Sequence, residues 1–222
     1  MTDALVNING NSVQTLDIII TLTILSIVPA ILMLTTSFAR ILIVLSILKN
    51  ALGLQNTPPN MVLVGIALFL TLFIMNPVIS EIDTQAYEPY HAGEITQVEA
   101  LKKAEVPMKE FMLKQTKNDS LKMFLSFADM NTENMKEADY KSLPMHIVIP
   151  AFLTSELSRA FLMGFLIYLP FLIIDMVVAS TLMSMGMMML PPSMISMPFK
   201  LLLFVVVDGW SMMFSTLVQS FN

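Results

Sequence analysis

Runs of apolar residues fill both ends of the chain, and a polar stretch separates them. Seven runs are almost free of charge, at residues 18–33, 41–48, 61–79, 147–154, 160–174, 176–199 and 201–207. A helix that crosses a membrane needs about 20 mainly apolar residues. The pattern therefore predicts an all-α, integral-membrane-type fold of two helical hairpins, with about four hydrophobic helices, some of them kinked.

Turn-forming residues indicate where each hairpin reverses. The segment NALGLQNTPPN at residues 50–60 is rich in Gly, Pro and Asn and ends an apolar pattern on each side. The second reversal falls in the methionine-rich loop 183–192. The predicted organisation is therefore an N-terminal segment at 1–15, a first hydrophobic hairpin at 16–80, a polar insertion at 81–145 and a second hydrophobic hairpin at 146–222.

Most of the charge of the protein lies in the insertion. It holds 8 of the 12 basic residues and 12 of the 17 acidic residues, which indicates a stretch exposed to water. Residues 94–105 and 108–117 carry apolar side chains at helical spacing, and Pro107 suits the first position of the second helix. We expect either a small helical cap packed on its neighbours or a solvated connecting loop.

Overall composition supports a membrane-associated protein. Charged residues make up 13% of the chain, against roughly 25% in soluble domains, and the mean hydropathy is +0.73. Because cysteine is absent, a disulfide framework and a thiolate metal site are excluded. The net charge of −5 does not indicate a protein that binds nucleic acid. Methionine, with 21 residues, is the compositional outlier.

The few charges near the turns predict an orientation. Lys49 and Lys200 lie beside the two turns, whereas the N-terminal segment carries Asp3 and Asp17. Positive charge in short loops favours the cytoplasmic side, so we expect both turns to face the cytoplasm. The insertion and both termini then lie outside. The start MTDALVNING lacks the basic region of a secretory signal peptide, so either the first apolar run directs insertion or a leader has been removed.

Six charged residues interrupt the apolar runs, and each is costly in lipid. On insertion scales a charge at the centre of a spanning helix costs roughly 2.5–3.5 kcal/mol. Three of the six are basic and three acidic, which favours pairing inside a protein assembly over exposure to lipid. There are three interpretations of these charges: they join helices or extend to the membrane interface, they pair between subunits, or they form a proton or ion relay. The residues are Arg40, Glu156, Arg159, Asp175, Lys200 and Asp208.

Sequence spacing suggests partners for these charges. Glu156 and Arg159 are three residues apart, on one helix face, and can pair locally. Asp175 and Lys200 lie equally far from the centre of the methionine-rich loop, so a hairpin folded there brings them to similar depth, where they pair within one hairpin or between neighbours. Arg40 is then expected to pair with Asp208 or with an acidic residue of another subunit.

The loop at 183–192, MSMGMMMLPP, has an unusual composition for a turn. Turns are mostly built from Gly, Pro, Asn, Asp and Ser. Methionine is unbranched, flexible and polarizable, so it adapts to irregular and changing partners. Gly186 allows either a close approach or an unusual backbone turn. An apolar, deformable contact is one interpretation of this loop, and ordinary apolar packing is the other.

Long ordered motifs in both hairpins resemble one protein family. The second hairpin contains SELSRAFLMGFLIYLPFLIIDMVVASTLMSMGMMMLPPSMISMPFKLLLFVVVDGW at 155–210. The first contains SFARILIVLSILKNALG at 37–53 and TPPNMVLVGIALFLTLFIMNPVI at 57–79. Together these segments resemble the FliP family of flagellar type III export-gate proteins. The related SctR proteins of virulence injectisomes share MGMMM and DGW, but PPSMISMPFKLLLF is more similar to the flagellar branch.

The resemblance implies an assembly and a function. It implies a ring of five copies with FliQ-like and FliR-like membrane proteins, working with FlhB-like and FlhA-like export components on unfolded export substrates. It places the complex in the bacterial inner membrane at the flagellar basal body, displaced toward the periplasmic side. It also implies a pore gate, or methionine gasket, that seals the closed channel. The gate residues are Met185, Gly186, Met187, Met188 and Met189.

Other functions are less well supported by the sequence. Patterns such as HExxH, GxSxG, the P-loop and GxGxxG are absent, and the two histidines lie far apart, so we expect no enzyme, cofactor or metal site. An ion or small-molecule transporter would also carry charges in broken helices. Residues 16–80 and 147–221 show no internal repeat of the kind transporters have. A scaffold that does not line the pore is a further alternative.

Overall fold

The computed structural model describes residues 5–8, 11–130, 142–187 and 189–221. Helices dominate these residues, which confirms the predicted all-α hairpin architecture. A short antiparallel pair of strands, β1 (Leu5–Ile8) and β2 (Asn11–Gln14), comes first and was not predicted. The helices are α1 (Thr15–Thr35), α2 (Phe38–Ala51), α3 (Asn60–Ile82), α4 (Glu88–His91), α5 (Gln97–Gln115), α6 (Asn118–Phe127), α7 (Met145–Ser184), α8 (Pro192–Val206) and α9 (Gly209–Gln219). A π-helical segment, Asp83–Tyr87, joins α3 to α4.

Of the four hydrophobic arms of the two hairpins, two are continuous helices and two are bent pairs of helices. α3 and α7 are each long and apolar enough to cross a membrane, and α7 runs unbroken for 40 residues. α1 and α2 meet at 69°, and α8 and α9 meet at 65° beside Asp208, whose φ is 49°. If each bent pair counts as one span, up to four spans are present in the described residues.

The insertion is a packed helical cap. α5 runs unbroken through Pro107, so the predicted division into helices 94–105 and 108–117 is wrong. Proline removes only one helical hydrogen bond, and burial of its ring offsets part of that cost. Met112 of α5 and Leu125 of α6 share a buried cluster with Phe152 of α7. This cluster fixes the cap against the base of the longest helix.

A capping box begins α5. The backbone N–H of Thr96 donates to the Glu99 carboxylate at 2.9 Å, and the Thr96 hydroxyl donates to it at the same distance. The Glu99 N–H in turn donates to the Thr96 hydroxyl. The backbone hydrogen bond and then the hydroxyl lower the pKa of Glu99. The contribution of the capping box to stability is therefore fully present above the pKa that Glu99 has in the unfolded chain. It is lost as the pH falls through the lowered pKa of the folded chain.

α2 lies at the centre of the hydrophobic part. One face of α2 is fully buried, through side chains three or four residues apart that include Ile41, Val44, Leu45 and Leu48. The residues that pack around this face come from α3, α7, α8 and α9, and they include Leu63, Ala67, Ala160, Phe171, Phe204 and Leu217. Side chains on α2 therefore contact both the rest of the first hairpin and the second hairpin.

Large apolar side chains remain exposed on the outer faces of α3 and α7. Phe69 and Phe73 project from α3, and Phe161 and Phe165 project from α7, each more than half exposed. A contiguous apolar surface of this extent indicates contact with lipid or with other proteins.

α7 packs tightly against α2 at Gly164. A Cβ atom at this position would overlap Cδ1 of Ile47 and would lie 3.0 Å from its Cγ2. We expect Gly164→Leu to destabilise the chain by about 1–3 kcal/mol, because the two helices must separate or Ile47 must leave its rotamer. Gly65→Leu is the matched control, because a Cβ there meets nothing within 4 Å.

The apparent melting temperature of the purified chain in detergent measures this difference. The control is expected to melt at or slightly above the parent temperature, since leucine is a better helix former than glycine. Equal melting temperatures for the two variants would contradict the close packing at Gly164.

Candidate functional site

A Schellman motif ends α7 at the methionine-rich loop. The N–H of Gly186 donates to the Met183 carbonyl at 3.1 Å, and the N–H of Met187 donates to the Leu182 carbonyl at 3.0 Å. Gly186 has a φ of +74°, and a Cβ built on it meets nothing within 4 Å. Of the two roles considered for this glycine, the structure assigns it the unusual backbone turn.

The methionines of the loop project outward. Met183, Met185 and Met187 are 58%, 63% and 44% exposed, and Met189 is 97% exposed. Met188, also predicted as a gate residue, lies outside the described residues. The described loop methionines therefore do not belong to the buried core of their own chain. They form an apolar, conformationally adaptable surface beyond the end of a 40-residue helix.

Asp175 and Lys200 form an ion pair within the second hairpin, as predicted. The Lys200 ammonium donates to Asp175 Oδ2 at 2.6 Å and to the Ala51 carbonyl at 3.0 Å. The other carboxylate oxygen of Asp175 accepts a hydrogen bond of 2.6 Å from the Ser196 hydroxyl. Because Ala51 is the last residue of α2, this ammonium also neutralises the negative end of that helix. The pair thus joins the second hairpin to the turn of the first.

Reversing the charge of Asp175 is expected to prevent stable folding. Asp175→Lys places a second ammonium beside Lys200, which is only 4% exposed, and we expect a loss of at least about 3 kcal/mol. Adding Lys200→Asp should restore part of that loss. Restoration stays incomplete because the exchanged carboxylate cannot donate to the Ala51 carbonyl.

Yield and apparent melting temperature of the purified chain test this expectation. Ser196→Ala serves as the control, because it removes one hydrogen bond to Asp175 and should cost only about 1 kcal/mol. Parental stability of Asp175→Lys would show that the ion pair does not hold the hairpin.

Arg40 pairs with Glu156, and the partners predicted for both residues are wrong. The Arg40 side chain is 1% exposed and that of Glu156 is 0% exposed. Arg40 Nε donates to Glu156 Oε2 at 2.8 Å, and Nη2 donates to Oε1. This bidentate pair joins α2 to α7. Asp208 is exposed at the break before α9, where a left-handed backbone turns the chain, and Arg40 makes no described contact with it.

All five N–H donors of Arg40 are used. Nη1 donates to the carbonyl and hydroxyl of Ser220 at 2.9 and 3.0 Å, and Nη2 donates to Gln115 Oε1 at 3.2 Å. The guanidinium also stacks 3.7 Å from the centre of the Phe221 ring. A buried guanidinium that is so completely satisfied holds its neighbours in one geometry.

Gln115 connects the insertion to this centre. Its amide oxygen accepts hydrogen bonds from Arg40 and from Arg159 Nη1, the latter at 2.8 Å, while its amide nitrogen donates to the Phe221 carbonyl at 2.9 Å. Arg159 thus binds Gln115 rather than forming the predicted salt bridge with Glu156. Residues of α2, α5, α7 and the segment after α9 meet here, and we name this set (Arg40, Gln115, Glu156, Arg159, Ser220 and Phe221) the arginine centre.

The sequence did not predict the polar side chains that contact the arginine centre and the Asp175–Lys200 ion pair. Gln115 lies in the charged insertion, and Ser196 and Ser220 are small polar residues of a kind common in membrane helices. Nothing in their local pattern distinguishes them from solvated residues. Within the described ranges, no group of three or more His, Asp or Glu side chains is placed to hold a metal ion. The contacts observed at the arginine centre and at the Asp175–Lys200 pair are ion pairs and hydrogen bonds.

Comparison with known proteins identifies the family. The family model described as "FliP family" matches residues 21–217. The flagellar biosynthetic protein FliP of Bacillus subtilis (strain 168) is 52% identical over 95% of this chain and 94% of its own length. Proteins of the same name from Aquifex aeolicus and Caulobacter vibrioides are 48% and 43% identical, over 96% and 100% of this chain and 88% and 84% of their own lengths. The chain therefore belongs to the FliP family.

Proposed function

We propose that this protein is a pore-forming core subunit of the flagellar type III protein export gate, which passes unfolded flagellar proteins across the inner membrane. In this proposal the methionine-rich loop seals the channel when no substrate is present. The observation that carries the proposal is the outward projection of flexible methionines from a glycine-terminated turn at the end of α7. The names of the relatives, flagellar biosynthetic proteins, support the flagellar branch over the injectisome branch.

The loop has the physical properties that such a seal requires. A pore for unfolded polypeptide must deform around side chains of different size and then exclude water and ions again. Methionine side chains have three rotatable bonds and no branch, so they can repack at small cost, and they offer no charge to attract ions. Two backbone hydrogen bonds hold the turn at the end of α7, and the flexibility that a seal requires is available in the methionine side chains.

The exposed apolar faces support an assembly. We propose a ring of five copies joined by FliQ-like and FliR-like proteins, with FlhB-like and FlhA-like export components at the cytoplasmic side. The outer faces of α3 and α7 then contact neighbours or lipid, which explains why so many phenylalanines are exposed in one chain. We further propose that the insertion and both termini are periplasmic and that the complex is displaced toward that side.

A single engineered cysteine provides a direct test, because the natural chain contains none. With a substrate stalled in the export channel, Met189→Cys is expected to crosslink to that substrate. The control is Leu101→Cys on α5, which is similarly accessible at 66% exposed but lies in the insertion, away from the loop. Crosslinking of the stalled substrate at Leu101 and not at Met189 would refute the pore location of the loop.

Copy number distinguishes the proposed gate from a transporter. The intact mass of the purified complex should correspond to five copies of this chain, and loss of the chain should abolish flagellar export and motility. A functional monomer that moves ions without substrate protein would favour the transporter alternative.

A further inference from the structure

Lys49 is a buried cation that forms no salt bridge with any carboxylate in the described part of the chain. It lies in the last turn of α2 and is only 9% exposed. Its ammonium donates a hydrogen bond of 2.9 Å to Asn60 Oδ1. Arg40 and Lys200, the other buried cations among the described residues, each pair with a carboxylate, but no described carboxylate lies within salt-bridge distance of Lys49. A buried ammonium with unused donors favours binding of an anion.

The ammonium faces a polar cavity of about 460 Å³. Ser46, Asn50, Gln55 and Asn60 contribute hydroxyl and amide groups to its wall beside Lys49. Amide N–H groups and an ammonium are donors that suit the oxygens of a phosphate group. The residues beside this cavity belong to the turn between α2 and α3, at one end of a helix long enough to span a membrane.

An apolar groove begins where the polar cavity ends. Val64 lines both spaces. The groove, of about 330 Å³, lies between α1 and α3, and no polar surface is exposed in its wall. Its α3 side is a stripe of residues three or four apart, from Val64 through Leu68 and Met75 to Ile82. At about 1.5 Å per residue, this stripe runs roughly 27 Å along the helix.

The dimensions of the groove indicate what fills it. A helix of about 10 Å diameter and the same length would occupy roughly 2,000 Å³, several times the volume available. An extended hydrocarbon chain is narrow enough. A ligand with an anionic end in the Lys49 cavity and an apolar body in the groove has the chemistry of an anionic lipid. Basic pockets between spanning helices on the cytoplasmic side bind the headgroups of such lipids.

We propose that the chain binds one anionic phospholipid, with its phosphate at Lys49 and one acyl chain in the groove between α1 and α3. The lipid supplies a counter-charge that no carboxylate of the described residues supplies to Lys49. It also fills the space between α1 and α3, so it stabilises the first hairpin in the membrane.

Lipid retention by the reconstituted full chain tests this site. The protein is placed in nanodiscs of phosphatidylcholine with a minor fraction of phosphatidylglycerol, re-extracted in mild detergent, and the retained lipid is measured by mass spectrometry. We expect selective retention of phosphatidylglycerol, about tenfold weaker in Lys49→Gln and unchanged in Lys49→Arg. Leu68→Trp, which blocks the groove, should also lose the lipid. Phe69→Trp, on the next and outward position of α3, should retain it.

Three results would overturn the proposal. The first is equal phosphatidylglycerol retention by Lys49→Gln and the parent, and the second is equal retention of the two lipids by the parent. The third is a rise in melting temperature with inorganic phosphate that matches the rise with phosphatidylglycerol, because the site would then belong to a free anion. If Lys49→Gln fails to accumulate, lipid retention by Leu68→Trp and Phe69→Trp tests the site instead. Equal retention by these two variants would then overturn the proposal.

Discussion

Arg40→Ala is expected to abolish flagellar motility and to leave little assembled complex. The substitution removes five hydrogen bonds and leaves the Glu156 carboxylate buried without its salt-bridge partner. Breaking a buried ion pair in this way costs about 3–5 kcal/mol, which is a large part of the stability of a typical domain. The measurements are swimming in soft agar and the amount of chain recovered in the purified complex.

Matched variants separate the charge of Arg40 from its hydrogen bonds. Arg40→Lys keeps the charge but cannot form the bidentate pair, so an intermediate yield is expected. The double variant Arg40→Met with Glu156→Leu removes both charges and should recover stability relative to Arg40→Ala. Lys109→Ala is the external control, since its pair with Glu105 lies nearer the surface and contributes about 0.5 kcal/mol or less. Parental yield and motility of Arg40→Ala would refute the structural role of the arginine centre.

Replacing Met187, Met188 and Met189 together by alanine is expected to make the membrane leak. The change removes three flexible side chains per copy, or fifteen around the proposed pentamer, while the backbone turn made by Gly186 remains. Alanine favours helices and the site is a turn, so folding and assembly should survive. Cells should lose ions, take up small dyes and grow poorly, whereas export itself should persist in part.

Two further variants test whether flexible bulk is what seals the pore. Leucine at the three positions should leak less than alanine, because it restores volume with less freedom. Alanine at Met61, Met176 and Met212, which are exposed away from the loop, should leave the membrane tight. Conductance is compared across membranes that hold equal amounts of assembled complex. A loop-alanine variant as tight as the parent would locate the seal elsewhere.

Features that depend on local pattern were predictable from the sequence. Apolar runs define the helices, and the Gly-, Pro- and Asn-rich segment at 50–60 coincides with the gap between α2 and α3. The Asp175–Lys200 pair was found because a hairpin with a known turn relates the two residues by simple geometry. The exposure of the loop methionines was not predicted, but their composition had already distinguished the loop from an ordinary turn.

Features that depend on long-range packing were not predictable. The nearest opposite charge along the sequence was chosen for Glu156, but its partner Arg40 lies 116 residues away. That choice overlooked that a buried arginine in the first turn of α2 takes its hydrogen-bond partners from several surrounding elements, including a glutamine from the insertion. The predicted division of α5 at Pro107 was wrong for a related reason. Burial of Pro107 in the tertiary structure outweighs its local tendency to end a helix.

The arginine centre also constrains the order of events while the chain is being made. Arg40 leaves the ribosome long before Glu156, and Ser220 follows it by 180 residues. At a synthesis rate of about 5–20 residues per second, roughly 10–40 s separate the synthesis of Arg40 from that of Ser220. During that time the guanidinium must stay hydrated or be held by another protein, so the first hairpin cannot reach its final buried state alone. The arginine centre therefore forms only after Ser220 has been synthesised, and nascent chains halted before Ser220 should remain sensitive to proteases around α2.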